Sequence, residues 1–264
     1  MLTWDVDPVL LKIGFLQIRY YGLLFAAAFT IGFFLLRRFL KKKGQDPLMA
    51  DSLLAYMVFG VLIGARLVHI LFYNPGYYFS HPSEILKVWH GGIASHGAVL
   101  GGIVATAVFC YRHKQNFWDI GDSISIQFIL VAGFVRLGNF FNSEIVGRVT
   151  DIPWAVKFVR YDNNLPVDQV PWRHPTQIYE FIYHLFGFFL VSYIYARWGD
   201  RLKTGSIIFI TISYYTFARF MVEFFKEYQT LQSGLTMGQW LSIPLFIVSV
   251  MLFMWRQKAG KCIH

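Results

Sequence analysis

Ala132-Gly133-Phe134-Val135-Arg136-Leu137-Gly138-Asn139-Phe140-Phe141-Asn142-Ser143-Glu144-Ile145-Val146-Gly147-Arg148 ends a long apolar segment with an arginine, two asparagines and a glutamate. Lipid solvates none of these side chains well, and an ionisable residue inside a membrane span marks a functional site by default. Arg136 and Asn139 are three apart, so a helix puts them on one face, and Gly138 between them lets a partner come close. The plainer alternative is a helix end where polar side chains cap loose backbone groups and Arg136 snorkels to the headgroups. Both readings make this stretch the mouth of a membrane helix, and both point to an all-α integral membrane protein.

Composition agrees. Of 264 residues, 56% are hydrophobic, 19% aromatic and only 15% charged, which is not the balance of an ordinary soluble domain. The formal charge of +9 could suggest nucleic acid, but no basic helix or RNA motif accompanies it. In an apolar chain such an excess reflects lysines and arginines that hold loops in the cytoplasm. Cys110 and Cys262 both fall on the expected cytoplasmic side, so neither a disulfide nor an outward-facing nucleophile is expected. Asp5 and Asp7, and a first apolar run too long for a signal peptide, argue against a cleaved leader.

Seven apolar windows recur, each near the twenty or so residues a helix needs to cross a bilayer: Tyr20–Leu36, Ser52–Tyr73, Gly92–Tyr111, Ile120–Phe141, Thr176–Ala196, Gly205–Phe225 and Gln239–Trp255. The first is followed by Arg37, Arg38, Lys41, Lys42 and Lys43, a cluster that stays inside. The N-terminus is therefore expected outside and the C-terminus in the cytoplasm. Alternating from there, Arg112 and Lys114, then Arg197, Arg201 and Lys203, then Arg256, Lys258 and Lys261 also fall inside. Outside, Asn74 to Gly91 reads as an interfacial loop with Tyr77, Tyr78 and Trp89 at headgroup depth. Residues 142–175 read as a small extended hairpin over the membrane, turning at Asp162-Asn163-Asn164 and stopped by Pro166 and Pro171. No repeat or linker divides the chain, so 1–264 is expected to be one membrane-embedded catalytic domain.

With that orientation the ionisable residues gather in the outer halves of the spans: Arg66, His96, Arg136, Glu180, Arg219 and Glu223. The inner halves carry essentially none, whereas an ion pathway needs polar groups through the whole thickness. A cavity open to the outer leaflet is expected. Tyr215, Arg219 and Glu223 follow one another at i, i+4 on one helix face. Arg219 and Glu223 could simply neutralise each other. Three arginines in one cavity outnumber the nearby carboxylates, however, and invite an anion at the depth of a phospholipid phosphate. His96, in a glycine-rich approach to the third span, is either an interfacial hydrogen-bonder or a base. His69, His174 and His184 have weaker claims, and no His/Cys/carboxylate spacing suggests a metal.

Arg136-Leu137-Gly138-Asn139-Phe140-Phe141-Asn142-Ser143-Glu144 with Gly147 resembles the signature of the bacterial prolipoprotein diacylglyceryl transferases. Further blocks resemble that family in its order: Arg19-Tyr20-Tyr21-Gly22, Gly64-Ala65-Arg66-Leu67, Gly91-Gly92 with His96-Gly97, His174-Pro175-Thr176-Gln177-Ile178-Tyr179-Glu180, Arg219 with Val222-Glu223-Phe224-Phe225, and Met237-Gly238-Gln239 with Ser242-Ile243-Pro244. Three places depart from its pattern: Val135 replaces a glycine, Ala98 a second glycine after the histidine, and Lys226-Glu227-Tyr228 an arginine-led acidic turn. The resemblance implies transfer of the diacylglyceryl group of phosphatidylglycerol to the lipobox cysteine of a preprolipoprotein signal peptide, releasing glycerol phosphate. It implies no cofactor, no metal and no nucleic acid, and a place in the bacterial plasma (inner) membrane with the active site facing the outer leaflet. On that reading Arg136 and Arg219 bind the phosphate, Tyr215 offers a hydroxyl beside it, and His96 deprotonates the thiol. Tyr21, Arg66, Asn139, Glu144, Gly147 and Glu223 would complete substrate binding. An outer-leaflet lipid transporter or flippase is the rival, and it would need polar groups deep in the inner halves.

Overall fold

The computed structural model describes residues 1–14, 16–87, 92, 94–227 and 234–259. The expectations for Trp89, Gly91, Tyr228, Lys261 and Cys262 lie outside the described residues. The chain is mostly helical and forms two compact units, Met1–Leu35 with Asp122–His264, and Leu36–Gly121.

Three short strands open the chain: β1 (Leu2–Trp4), β2 (Val9–Ile13) and β3 (Leu16–Arg19). Helix α1 (Tyr20–Lys42) follows, ending on Lys41 and Lys42, where cations favour the carbonyl end of the helix dipole. Then come α2 (Met49–Phe72), the short α3 (Pro75–Ser80), α4 (Ser95–Arg112), α5 (Phe117–Phe141), strands β4 (Val156–Phe158) and β5 (Trp172–Arg173), α6 (Thr176–Trp198), α7 (Ser206–Val222) and α8 (Met237–Ala259). Among the described residues six helices are long and apolar enough to cross a bilayer: α1, α2, α5, α6, α7 and α8. The third expected window yields a shorter apolar helix, because Gly92 has φ +75° and Ala94 is extended, so the helix starts only at Ser95. Its 18 residues rise about 27 Å, just under the hydrocarbon thickness.

In the first unit the expected hairpin over 142–175 is present but short, with β4 antiparallel to β5. The sequence reading did not foresee its third member: β1 lies parallel to β4, with Leu2 opposite Val156 and Trp4 opposite Phe158. Trp4 packs on Phe140 at 4.4 Å between ring centroids, and Phe140, Val146, Val156 and Phe158 form the buried cluster beneath this sheet. At the other end of α5 the fully buried Asp122 takes the Gly205 N–H at 2.7 Å and the Ile208 N–H at 3.0 Å. Its carboxylate thus caps α7, whose orphan first-turn amides it satisfies. Asp122, within the fourth expected window, is an exception to the expectation that the inner halves of the spans carry essentially no ionisable residue, and the cap accounts for it.

In the second unit α2 and α4 cross through glycine. A methyl at Gly64 would collide with the Gly97 carbonyl, and one at Gly97 with that of Gly64, so the backbones touch. Tyr78, expected at headgroup level, is buried and its ring lies 4.9 Å from the Arg66 guanidinium. The cation recruits it into the fold.

Candidate functional site

The last turn of α5 carries Arg136 and Asn139, and the chain then turns to present Glu144. Arg136 Nη1 donates to Asn139 Oδ1 at 3.4 Å, and Asn139 Nδ2 donates to Glu144 Oε2 at 2.9 Å. Asn142 Nδ2 donates to the other carboxylate oxygen at 3.2 Å. Gly138, expected to admit a close partner, admits the ring of Tyr21: a Cβ there would sit 2.6 Å from Tyr21 Cδ2.

From Arg136 a ladder of charges runs across three more elements. Arg136 Nε lies 3.2 Å from Glu180 Oε2 on α6, an ion pair by distance whose N–H does not point along a hydrogen bond. The other oxygen of Glu180 accepts from Lys226 Nζ at 3.0 Å. Lys226 also reaches Glu223 Oε1 at 3.2 Å, and Arg219 Nη2 lies 3.6 Å from that same oxygen. Thr236 Oγ1 donates to Glu223 Oε2 at 3.1 Å. The interior three are sealed, Glu180 and Lys226 at 1% side-chain exposure and Glu223 at 0%, while Arg136 keeps 16% and Arg219 31%. Three cations alternate with two carboxylates along the ladder, Glu144 adds a third carboxylate beside Arg136 through Asn139, and the guanidiniums at the two ends are the part-exposed charges. Buried charges require such pairing, because desolvation would otherwise penalise each heavily.

Around the ladder, Tyr215 packs its ring 5.6 Å from that of His184, whose Nδ1 is 2.6 Å from the Glu180 carbonyl oxygen. Gly147 is wedged where two strands of backbone meet: a Cβ would lie 2.5 Å from His174 Cβ and 2.7 Å from the Phe225 carbonyl oxygen. Gly147 N–H donates to His174 O at 3.0 Å and Arg148 N–H to Phe225 O at 2.8 Å, which ties the signature to the segment bearing Glu223 and Lys226. Nearby, Arg173 is held by Asp162 at 2.9 Å and Glu227 at 3.2 Å. Burial opposes the charge on Arg173, but these two carboxylates outweigh it and raise its pKa. Burial pushes the His174 imidazole below its ordinary pKa.

The first unit thus brings together Tyr21, Arg136, Asn139, Glu144, Glu180, Arg219 and Glu223 of the expected residues. Gly147 serves backbone approach, and Glu223 is spent on Arg219, Lys226 and Thr236. Arg66 and His96 belong to the second unit. Arg66 donates to backbone carbonyls of Glu84 at 2.5 Å, Ile85 at 3.0 Å and Gly92 at 3.0 Å, so its guanidinium ties α2 to those residues. His96 stands exposed in the first turn of α4. Lys226 was missed as a ladder member because it follows the span and reads as a loop residue; its spacing of three from Glu223 was the available signal. Among the described residues no three His, Cys, Asp or Glu side chains converge as a metal site requires.

Residues 8–255 match the family described as prolipoprotein diacylglyceryl transferase. The chain is 44% identical over 272 residues to the phosphatidylglycerol–prolipoprotein diacylglyceryl transferase of Chloroherpeton thalassium, covering 98% of this chain and 96% of that one. It is 37% identical to the protein of the same name from Tolumonas auensis and 38% to that from Bacteroides fragilis, with 98% of each chain covered in both comparisons.

Proposed function

The chain belongs to the prolipoprotein diacylglyceryl transferase family, and on that premise we propose that the ladder from Arg136 to Arg219 holds the phosphate of phosphatidylglycerol during the transfer. The activity is that of the family, the diacylglyceryl transfer step of lipoprotein maturation. The single observation that carries the site reading is the exposure pattern: the charges inside the ladder are sealed, while the Arg136 and Arg219 guanidiniums at its two ends stay open to a phosphodiester.

In the reaction the cysteine sulfur attacks the diacylglyceryl carbon attached to the phosphate oxygen. A C–S bond forms, the C–O bond breaks, and glycerol phosphate departs with the electron pair. Charge builds on the departing phosphate, so fixed cations aimed at it help most in the transition state. Arg136 and Arg219 supply those cations and Lys226 holds the carboxylates between them. Asn139, Glu144 and Tyr21 orient the headgroup glycerol, and Tyr215 offers a hydroxyl. His96 takes the thiol proton, since a free cysteine with pKa about 8.5 is mostly protonated at neutral pH.

The apolar helices suit a multi-pass membrane protein, and we read the shorter α4 as a seventh span, with the N-terminus outside and the C-terminus in the cytoplasm. Positive clusters after the first, third, fifth and seventh spans support that orientation. The site then opens to the outer leaflet of the plasma membrane, where phosphatidylglycerol and a signal-peptide helix with its lipobox cysteine both arrive laterally. Incubation with phosphatidylglycerol labelled in its headgroup and a lipobox peptide tests the reaction. Labelled glycerol phosphate should appear one for one with thioether-linked peptide; a transporter or flippase would release none.

A further inference from the structure

Glu144 is presented by a turn whose geometry its own residues disfavour. Ser143 and Ile145, on either side of it, both have φ of 55°, the left-handed region in which a β-branched residue is a clear outlier. Such a conformation persists only where the surroundings over-determine it. Here the turn is bound from both sides. Ser143 N–H donates to Phe140 O at 3.0 Å and Glu144 N–H to Asn139 O at 2.9 Å, so the amides are held by the end of α5. The carbonyls are held by the start of α6: Thr176 Oγ1 donates to Ile145 O at 2.9 Å and Gln177 Nε2 to Glu144 O at 2.6 Å. Thr176 and Gln177 are both fully buried. One turn further along that helix, Glu180 sits 3.2 Å from Arg136. The first two turns of α6 therefore grip both ends of the Glu144, Asn139, Arg136 relay.

We propose that Thr176 and Gln177 are positioning residues for the transfer reaction, clamping the strained turn so that the exposed Glu144 carboxylate keeps Asn139 and Arg136 aimed at the lipid headgroup. The inference rests on the reading of that relay as the headgroup site. Without the clamp, a turn with two left-handed residues relaxes and carries the carboxylate away from Asn139.

The test uses the full chain in vesicles containing phosphatidylglycerol, with a lipobox peptide and glycerol phosphate release as the readout. Gln177→Met keeps the side chain's length but loses its donor, and kcat/KM for phosphatidylglycerol should fall at least tenfold. Glu144→Gln should show a comparable loss, and in that background Gln177→Met should cost little more, because the clamp then has nothing left to aim. A merely structural glutamine would cost the same in both backgrounds, and losses that multiply would overturn the inference. Should Gln177→Met fail to accumulate in the membrane, Thr176→Val and Thr176→Ser decide: the serine keeps the hydroxyl and should recover most of what valine loses, and equal activity in the two would overturn the clamp. Full activity in Glu144→Gln would remove the headgroup reading and the clamp with it, whereas an impaired Glu144→Gln beside a fully active Gln177→Met would remove the clamp alone.

Discussion

Lys226→Met tests the ladder at its centre. Lys226 is 1% exposed and lies 3.0 Å from Glu180 and 3.2 Å from Glu223, carboxylates that are themselves sealed from solvent. Methionine fills nearly the same length without the charge, so the change isolates electrostatics from packing. Breaking a buried pair costs about 3–5 kcal/mol. The low end applies here, because Arg136 and Arg219 each still face one of the two carboxylates. At about 2–4 °C per kcal/mol for a chain of this size, the unfolding midpoint should drop on the order of 10 °C. The positive charge of the ladder also falls by one. A unit charge on the order of 10 Å away, at an effective dielectric near 20, is worth about 1.7 kcal/mol, or somewhat over tenfold in affinity. KM for phosphatidylglycerol should therefore rise by about that factor, and Lys226→Arg, which restores the charge, should bring it back. Thermal unfolding in detergent together with initial rates across a series of phosphatidylglycerol contents would measure both effects. A Lys226→Met chain with the native midpoint and native KM would refute the reasoning.

Three further outcomes are expected. His96→Gln cannot take up the thiol proton, so it should lose rate near neutrality and recover in part at high pH, where the thiol ionises unaided; an unchanged pH profile would make another group the base. Asp122→Ala leaves the Gly205 and Ile208 amides unsatisfied at the start of α7 and should destabilise by about 2 kcal/mol, read as a lower unfolding midpoint. A reporter active only outside should work when fused after Asp162 and fail after Lys42, and the reverse pattern would remove the outer-leaflet site.

Much of this was legible in the residues, because membrane spans announce themselves through long apolar windows and the signature's polar members stand out against them. Arg136, Asn139 and Glu144 do meet, since helical spacing and a short turn place them locally. Arg219 and Glu223 do pair at i, i+4. Less legible were the long-range partners. Nothing in the order of residues says that Lys226 turns back to Glu180, 46 positions earlier, or that β1 pairs with β4 across more than a hundred and fifty positions. The strain at Ser143 and Ile145 was also hidden, because neither is a residue that favours the left-handed region, and the hydrogen bonds from Thr176 and Gln177 that help to hold it come from a distant helix. Arg66 was expected among the substrate-binding residues, and the order of residues gave no sign that its guanidinium donates to the carbonyls of Ile85 and Gly92.

The claim that the open ends of the ladder grip the lipid phosphate is tested most directly at Arg136. Arg136→Lys keeps the positive charge beside Glu180 but loses the planar fork that reaches two phosphate oxygens at once. With membrane insertion confirmed, glycerol phosphate release from phosphatidylglycerol and a lipobox peptide should fall by roughly a hundredfold, about 2.7 kcal/mol of transition-state stabilisation. Near-native turnover in that variant would contradict the account and leave Arg136 as no more than an anchor at the membrane surface.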